Sequence, residues 1–63
     1  MVYIVACGQH KFFFGFSGGR PMFTTKLAYA RRFDYEEMAQ YVAGRCTNAT
    51  GSTFRVQLVG EEE

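Results

Sequence analysis

The stretch KFFFGF, residues 11–16, sets the tightest condition on this chain, because four phenylalanines fall in six positions. In an extended strand the side chains alternate between the two faces of a sheet, so Phe12, Phe14 and Phe16 point one way and Phe13 the other. A chain of 63 residues forms one domain, and it buries only about 60% of the surface that its unfolded form exposes. A sheet with helices on one face buries only one of those sets within the chain. The three-membered set is therefore expected in the core and Phe13 on an open face.

Ahead of this run, VYIVAC (residues 2–7) is β-branched and aromatic, and Gly8-Gln9-His10 supplies a turn, so the two segments read as a β-hairpin. Ser17-Gly18-Gly19-Arg20-Pro21 breaks the pattern, and Met22 and Phe23 add at most a short third strand. Thr24 and Thr25 precede KLAYARR, good helix formers that predict a first helix of about two turns. Asp34, with Glu37 three positions on, reads as a capping box in its Asp form. It opens a second helix whose apolar stripe is Tyr35, Met38, Ala39, Val42 and Cys46. Gly44 lies near the end of that helix, and residues 47–52, TNATGS, read as a polar loop. In TFRVQLV, residues 53–59, Phe54, Val56 and Leu58 alternate with Thr53, Arg55 and Gln57, the pattern of a strand with one core-facing side.

The expected fold is α+β in the order β-β-(β)-α-α-β. A small antiparallel sheet, the N-terminal hairpin plus the C-terminal strand, carries two helices packed on one face. Residues 1–60 make a single domain and residues 61–63, all glutamate, an acidic C-terminal tail.

Phe13 on the open face is joined by Tyr3 and Val5 or by Val2 and Ile4, since a one-residue slip of the first strand exchanges the two sets. Such a patch is covered by the loop 17–23 through Met22 and Phe23, by a second copy in a homodimer, or by a partner. For a partner, Phe13 and Tyr3 are the expected aromatic anchors, with Arg20 and Arg55 at the rim, the residue types enriched at binding hot spots.

The formal net charge is +1, but residues 1–60 hold seven Lys/Arg against Asp34, Glu36 and Glu37, a net of +4. Lys11, Arg31 and Arg32, mixed with aromatics, keep contact with single-stranded nucleic acid open, through base stacking and phosphate binding. However, KFFFGFSG departs from the aromatic motif of the common RNA-binding sheet, and the charge excess is small. Catalytic classes are excluded more firmly. His10 is the only histidine and sits in a turn, no serine or cysteine is placed to form a nucleophile–base pair, and no phosphate-binding glycine motif is present. Cys7, Cys46 and His10 lack the spacing of a closed metal site, so neither metal nor cofactor is expected. No secretory signal is visible and no apolar run approaches the ~20 residues of a membrane span, so a cytoplasmic protein with reduced thiols and no membrane contact is expected.

The stretch TTKLAYARRFDYEEMAQYVAGR resembles a pattern of small phage and prophage proteins, T-x-x-x-x-A-x-x-F-x-x-x-x-x-A between a hairpin and a final strand. Thr25, Ala30, Phe33 and Ala39 stand at those positions, and the resemblance covers residues 22–46. It implies a phage-encoded accessory protein that, as anti-CRISPR proteins do, binds and blocks a host or defence protein. It carries over no catalytic residue. Many such inhibitors are strongly acidic mimics of DNA; this chain is not, which favours occlusion of a protein surface. The expected function is thus non-enzymatic protein binding, with a single-stranded nucleic-acid module and a homo-oligomeric structural subunit as the alternatives.

Overall fold

A computed structural model describes residues 1–60; the acidic tail, 61–63, lies outside the described residues. The elements are β1 (Val2–Cys7), β2 (Lys11–Ser17), β3 (Arg20–Thr24), a 3₁₀ turn (Leu27–Tyr29), α1 (Glu36–Thr50) and β4 (Arg55–Gly60). All four strands join one antiparallel sheet in the order β3-β2-β1-β4, and α1 packs on one of its faces. The α+β class, the hairpin and the adjoining C-terminal strand are therefore present, and the third strand is formed.

The first of the two expected helices is not. Over KLAYARR the chain makes only the 3₁₀ turn and then runs extended from Ala30 (φ −63°, ψ 142°). The cause is tertiary. β1 and β2 pair only at Ala6↔Phe12 and Cys7↔Lys11, and beyond that point residues 31–33 lie between them. The Arg31 N–H donates to the Phe13 carbonyl of β2 at 2.9 Å, while Phe33 and Tyr3 of β1 exchange both backbone bonds at 2.9 and 2.8 Å. A two-turn helix is marginal in isolation, whereas this strap satisfies strand groups that would otherwise be left unpaired.

The strap also crosses the sheet. Ala30 is buried on one side with Ile4, Ala6 and Phe12, and Phe33 is buried on the other with Val5, Phe13, Ala39, Val42, Ala43, Cys46 and Phe54. Both faces therefore carry a core, a large one under α1 and a small one opposite. This inverts the expected faces of the phenylalanine run. Phe13, expected on the open face, is 2% exposed in the helix-side core, while Phe14 and Phe16, expected inside, are 48% and 46% exposed. Phe12 stands opposite Ala6 and shares its face, so Phe13 falls on the helix side by alternation, and a β-bulge then moves Phe16. Phe13 pairs with Phe23 and Gly15 with Met22, so Phe14 is the extra residue, and the alternation resumes one position late. Phe16 is thereby moved to the side of Phe13, against which its ring packs edge-on at 5.0 Å.

The helix buries Ala39, Val42, Ala43 and Cys46, the i, i+3, i+4, i+7 set. Tyr35 and Met38, expected in that stripe, are exposed. Tyr35 rather than Asp34 is the N-cap, with no side-chain bond, so the expected capping box is not formed; Glu36 and Glu37 in the first turn still complement the helix dipole. The helix also runs through most of the expected loop 47–52, ending at Gly51 in the left-handed region (φ 79°), whose N–H donates to Thr47 O at 2.8 Å. The Thr47 hydroxyl then accepts from the Phe54 N–H at 3.2 Å, which sets the chain on its way into β4.

Candidate functional site

On the helix side of the sheet, exposed aromatic, sulfur and guanidinium groups come together around the mouth of a hollow of about 220 Å³ lined by Phe13, Gly15, Phe16, Arg31, Phe33, Met38 and Val42. Two elements build it. The bulge in β2 turns Phe16 towards α1, and the helical spacing of Met38, Tyr41 and Arg45 places the three along one exposed stripe. The Arg45 guanidinium lies 5.6 Å from the Phe16 ring centre and 5.9 Å from that of Tyr41, and it donates to the Tyr41 hydroxyl at 3.3 Å. One cation is thus held over two aromatic rings, with Arg31 at the opposite lip of the hollow. Stacking orders the guanidinium and leaves donors for an incoming acceptor.

The opposite face offers a different surface. Phe14, Met22, Phe23, Thr24 and Tyr29 line a groove of about 370 Å³ beside β3, almost wholly apolar. Its covering segment is the turn and strap, through Ala30, rather than the loop 17–23.

The residues singled out from sequence are dispersed. Tyr3 is half-buried against the helix-side core, its hydroxyl donating to the Met1 sulfur at 3.7 Å. Phe13 lies beneath the hollow, as its floor. Arg20 is exposed at the tip of the β2–β3 hairpin, paired with Ser17. Arg55 is exposed at the start of β4, its Nη2 donating to Gln57 Oε1 at 3.4 Å. The Lys11 ammonium lies over the Phe23 ring at 4.6 Å. Arg31 alone joins the aromatic–arginine cluster, and its neighbour Arg32 is exposed on the same strap. The sequence reading missed Phe16, Met38, Tyr41 and Arg45 as a group. Tyr41 and Arg45, four apart within a helical pattern, carried a signal; for Phe16 the one signal was Gly15, since a glycine inside a strand run often marks a bulge.

His10 stands exposed in the β1–β2 turn, and no cluster of three metal-ligating side chains occurs among the described residues. Both cysteines are free thiols; Cys46 is fully buried, and burial pushes its pKa up, away from the reactive thiolate. No described helix is long and apolar enough to cross a membrane. No family model, curated protein or solved structure matches the chain.

Proposed function

We propose that this is a non-catalytic protein-binding module, and that Phe16, Met38, Tyr41 and Arg45, with Arg31, form its contact surface. The carrying observation is Arg45 stacked on Phe16 and Tyr41 at a hollow's mouth. Arginine and aromatic side chains dominate the energetics of protein interfaces, because they bury large area at low entropic cost and pair with acceptors once desolvated. Arg31 and Arg45 give the site a positive rim, and the partner fitted to it is an acidic protein segment with an apolar or aromatic side chain to fill the hollow. The likeness to small phage proteins leaned on two capped helices. With one of them replaced by the strap, the partner is defined here by that chemistry, and blocking of its surface is the mode of action we propose.

The test is capture of partners from lysate of the source cells, with and without nuclease. It compares the natural chain, a Tyr41→Ala/Arg45→Ala variant and a Phe14→Ser/Met22→Ser variant of the opposite face. A retained protein should survive nuclease, persist with the second variant and fall about 30-fold with the first, the loss of a hot spot worth about 2 kcal/mol. Retention that is unchanged by Tyr41→Ala/Arg45→Ala, or that is lost with nuclease, refutes the reading; the latter would favour nucleic acid through Lys11, Arg31 and Arg32.

A further inference from the structure

β4 lies at one end of the sheet and β3 at the other, so each presents an outer edge. The two edges are not equivalent. β3 is short and carries Pro21, which has no N–H to offer, and it faces the bulge of β2; these are the usual means of blunting an edge. β4 pairs with β1 without interruption from Arg55↔Ala6 to Leu58↔Tyr3, its own bulge falling only at Val59, and it contains no proline.

The hydrogen bonding of Tyr3 shows which groups that edge offers. Tyr3 spends both backbone groups on Phe33, on the side away from β4. Tyr3↔Leu58 is therefore a non-hydrogen-bonded pair, and the alternation of an antiparallel ladder turns the N–H and C=O of Leu58, and of Val56 two residues earlier, outward. The side chains agree. Leu58 is 53% exposed on the same face as Val56, which with Ala43 and Phe54 forms the apolar side of a groove of about 580 Å³ between α1 and β4; Glu36 and Gln40 lie on its polar side.

We infer that β4 pairs antiparallel, about a two-fold axis, with β4 of a second copy of this chain. The register follows from the outward groups. Val56 of each copy stands opposite Leu58 of the other, both sets of free backbone groups are satisfied, and Gln57 meets its own mate at the axis. On the helix side each Leu58 then enters the groove beside the other copy's Val56, an apolar cross-strand pair made twice. Charge supports this direction. The strand carries the exposed Arg55 near its start, and the sequence beyond Gly60 is three glutamates, so an antiparallel pair is the direction in which strand ends of opposite charge are matched. The result is one continuous eight-stranded sheet with the two helices on the same face. This surface is separate from the aromatic–arginine site, and its occupancy is independent of that proposal.

Sedimentation equilibrium over 1 μM to 1 mM decides the matter. The natural chain should pass from 7.2 kDa to twice that mass. Leu58→Pro keeps the ladder to β1, because the Leu58 N–H faces outward, and should hold the protein monomeric with its circular dichroism unchanged. Leu58→Asp, which without touching the backbone places a second negative charge in a groove that Glu36 also lines, should weaken association at least tenfold, and so provides the test if the proline variant fails to fold. A natural chain that stays monomeric at 1 mM overturns the inference. So does a dimer that survives Leu58→Asp, or one that is lost instead on Tyr41→Ala/Arg45→Ala.

Discussion

The strap between β1 and β2 can be tested through a single N–H. Replacing Arg31 by proline deletes the donor to the Phe13 carbonyl, while Ala30 already holds the extended conformation that a residue before proline prefers. Phe13 is 2% exposed, so no water is at hand to replace the lost bond, and a buried acceptor left unpaired costs about 1–3 kcal/mol. A core of this size supplies only about 3–5 kcal/mol in all. With a urea slope near 1 kcal/mol/M, the low end for small proteins, the midpoint should fall by about 1–3 M. Arg31→Ala is the control. It removes the same exposed side chain, keeps the N–H, and should move stability by no more than about 0.5 kcal/mol. Urea titrations followed by circular dichroism give both midpoints. An ester in place of the same peptide link, assembled by chemical ligation at Cys46, removes the N–H without imposing the ring of proline and must shift the midpoint in the same direction. Proline and ester variants that both unfold within about 0.5 M of Arg31→Ala would show that the strap bond contributes nothing, and the account of why KLAYARR is not helical would fail with it.

Gly44 inside α1 and Gly51, which caps it, should respond with opposite sign. Neither has a heavy atom within 4 Å of an added Cβ, but Gly51 holds φ +79° and Gly44 does not need a positive φ. Gly51→Ala should therefore destabilise by about 1–2 kcal/mol through strain alone, and Gly44→Ala should stabilise by about 0.5–1 kcal/mol by restricting the unfolded chain; chemical denaturation at low protein concentration measures both. Burial raises the Cys46 thiol pKa in the folded state, so the unfolded chain loses this proton first as pH rises. The thiol's contribution is whole below its ordinary pKa of about 8.5 and falls above it by at most about 1.4 kcal/mol per pH unit until the folded thiol titrates too. Cys46→Ala should remove that alkaline loss, and identical slopes for variant and natural chain between pH 7 and 10 would contradict it.

Much of the architecture was legible because it rests on local periodicity. The Gly8 turn between two β-rich runs, the alternation of Phe54, Val56 and Arg55 with Gln57, and the Ala39, Val42, Cys46 spacing each specify an element without help from the rest of the chain. What failed did so for two physical reasons. KLAYARR has a sound helical propensity, but long-range backbone bonds to Tyr3 and Phe13 outweigh it, and no window around residue 30 contains that information. The bulge at Phe14 shifts a period-2 pattern by one, so Phe16 changes face and the aromatic count under α1 changes with it. The candidate site takes Phe16 from that shift; of the residues picked out from sequence, Arg31 lines its hollow and Phe13 forms the floor. The homodimer alternative was legible only as an uncovered apolar patch; the β4 edge that we propose for it needed the direction of the Tyr3 hydrogen bonds.

The strap has one more consequence. Its ends sit in different interiors, Ala30 against Phe12 and Phe33 against Phe13, with only two residues of extended backbone between them. Close-packed interiors tolerate little change of shape, and here two of them are held in step by one short piece of chain. The groove by Tyr29 and the floor beneath Arg45 thus rest on interiors that face opposite halves of the solvent yet share one continuous backbone.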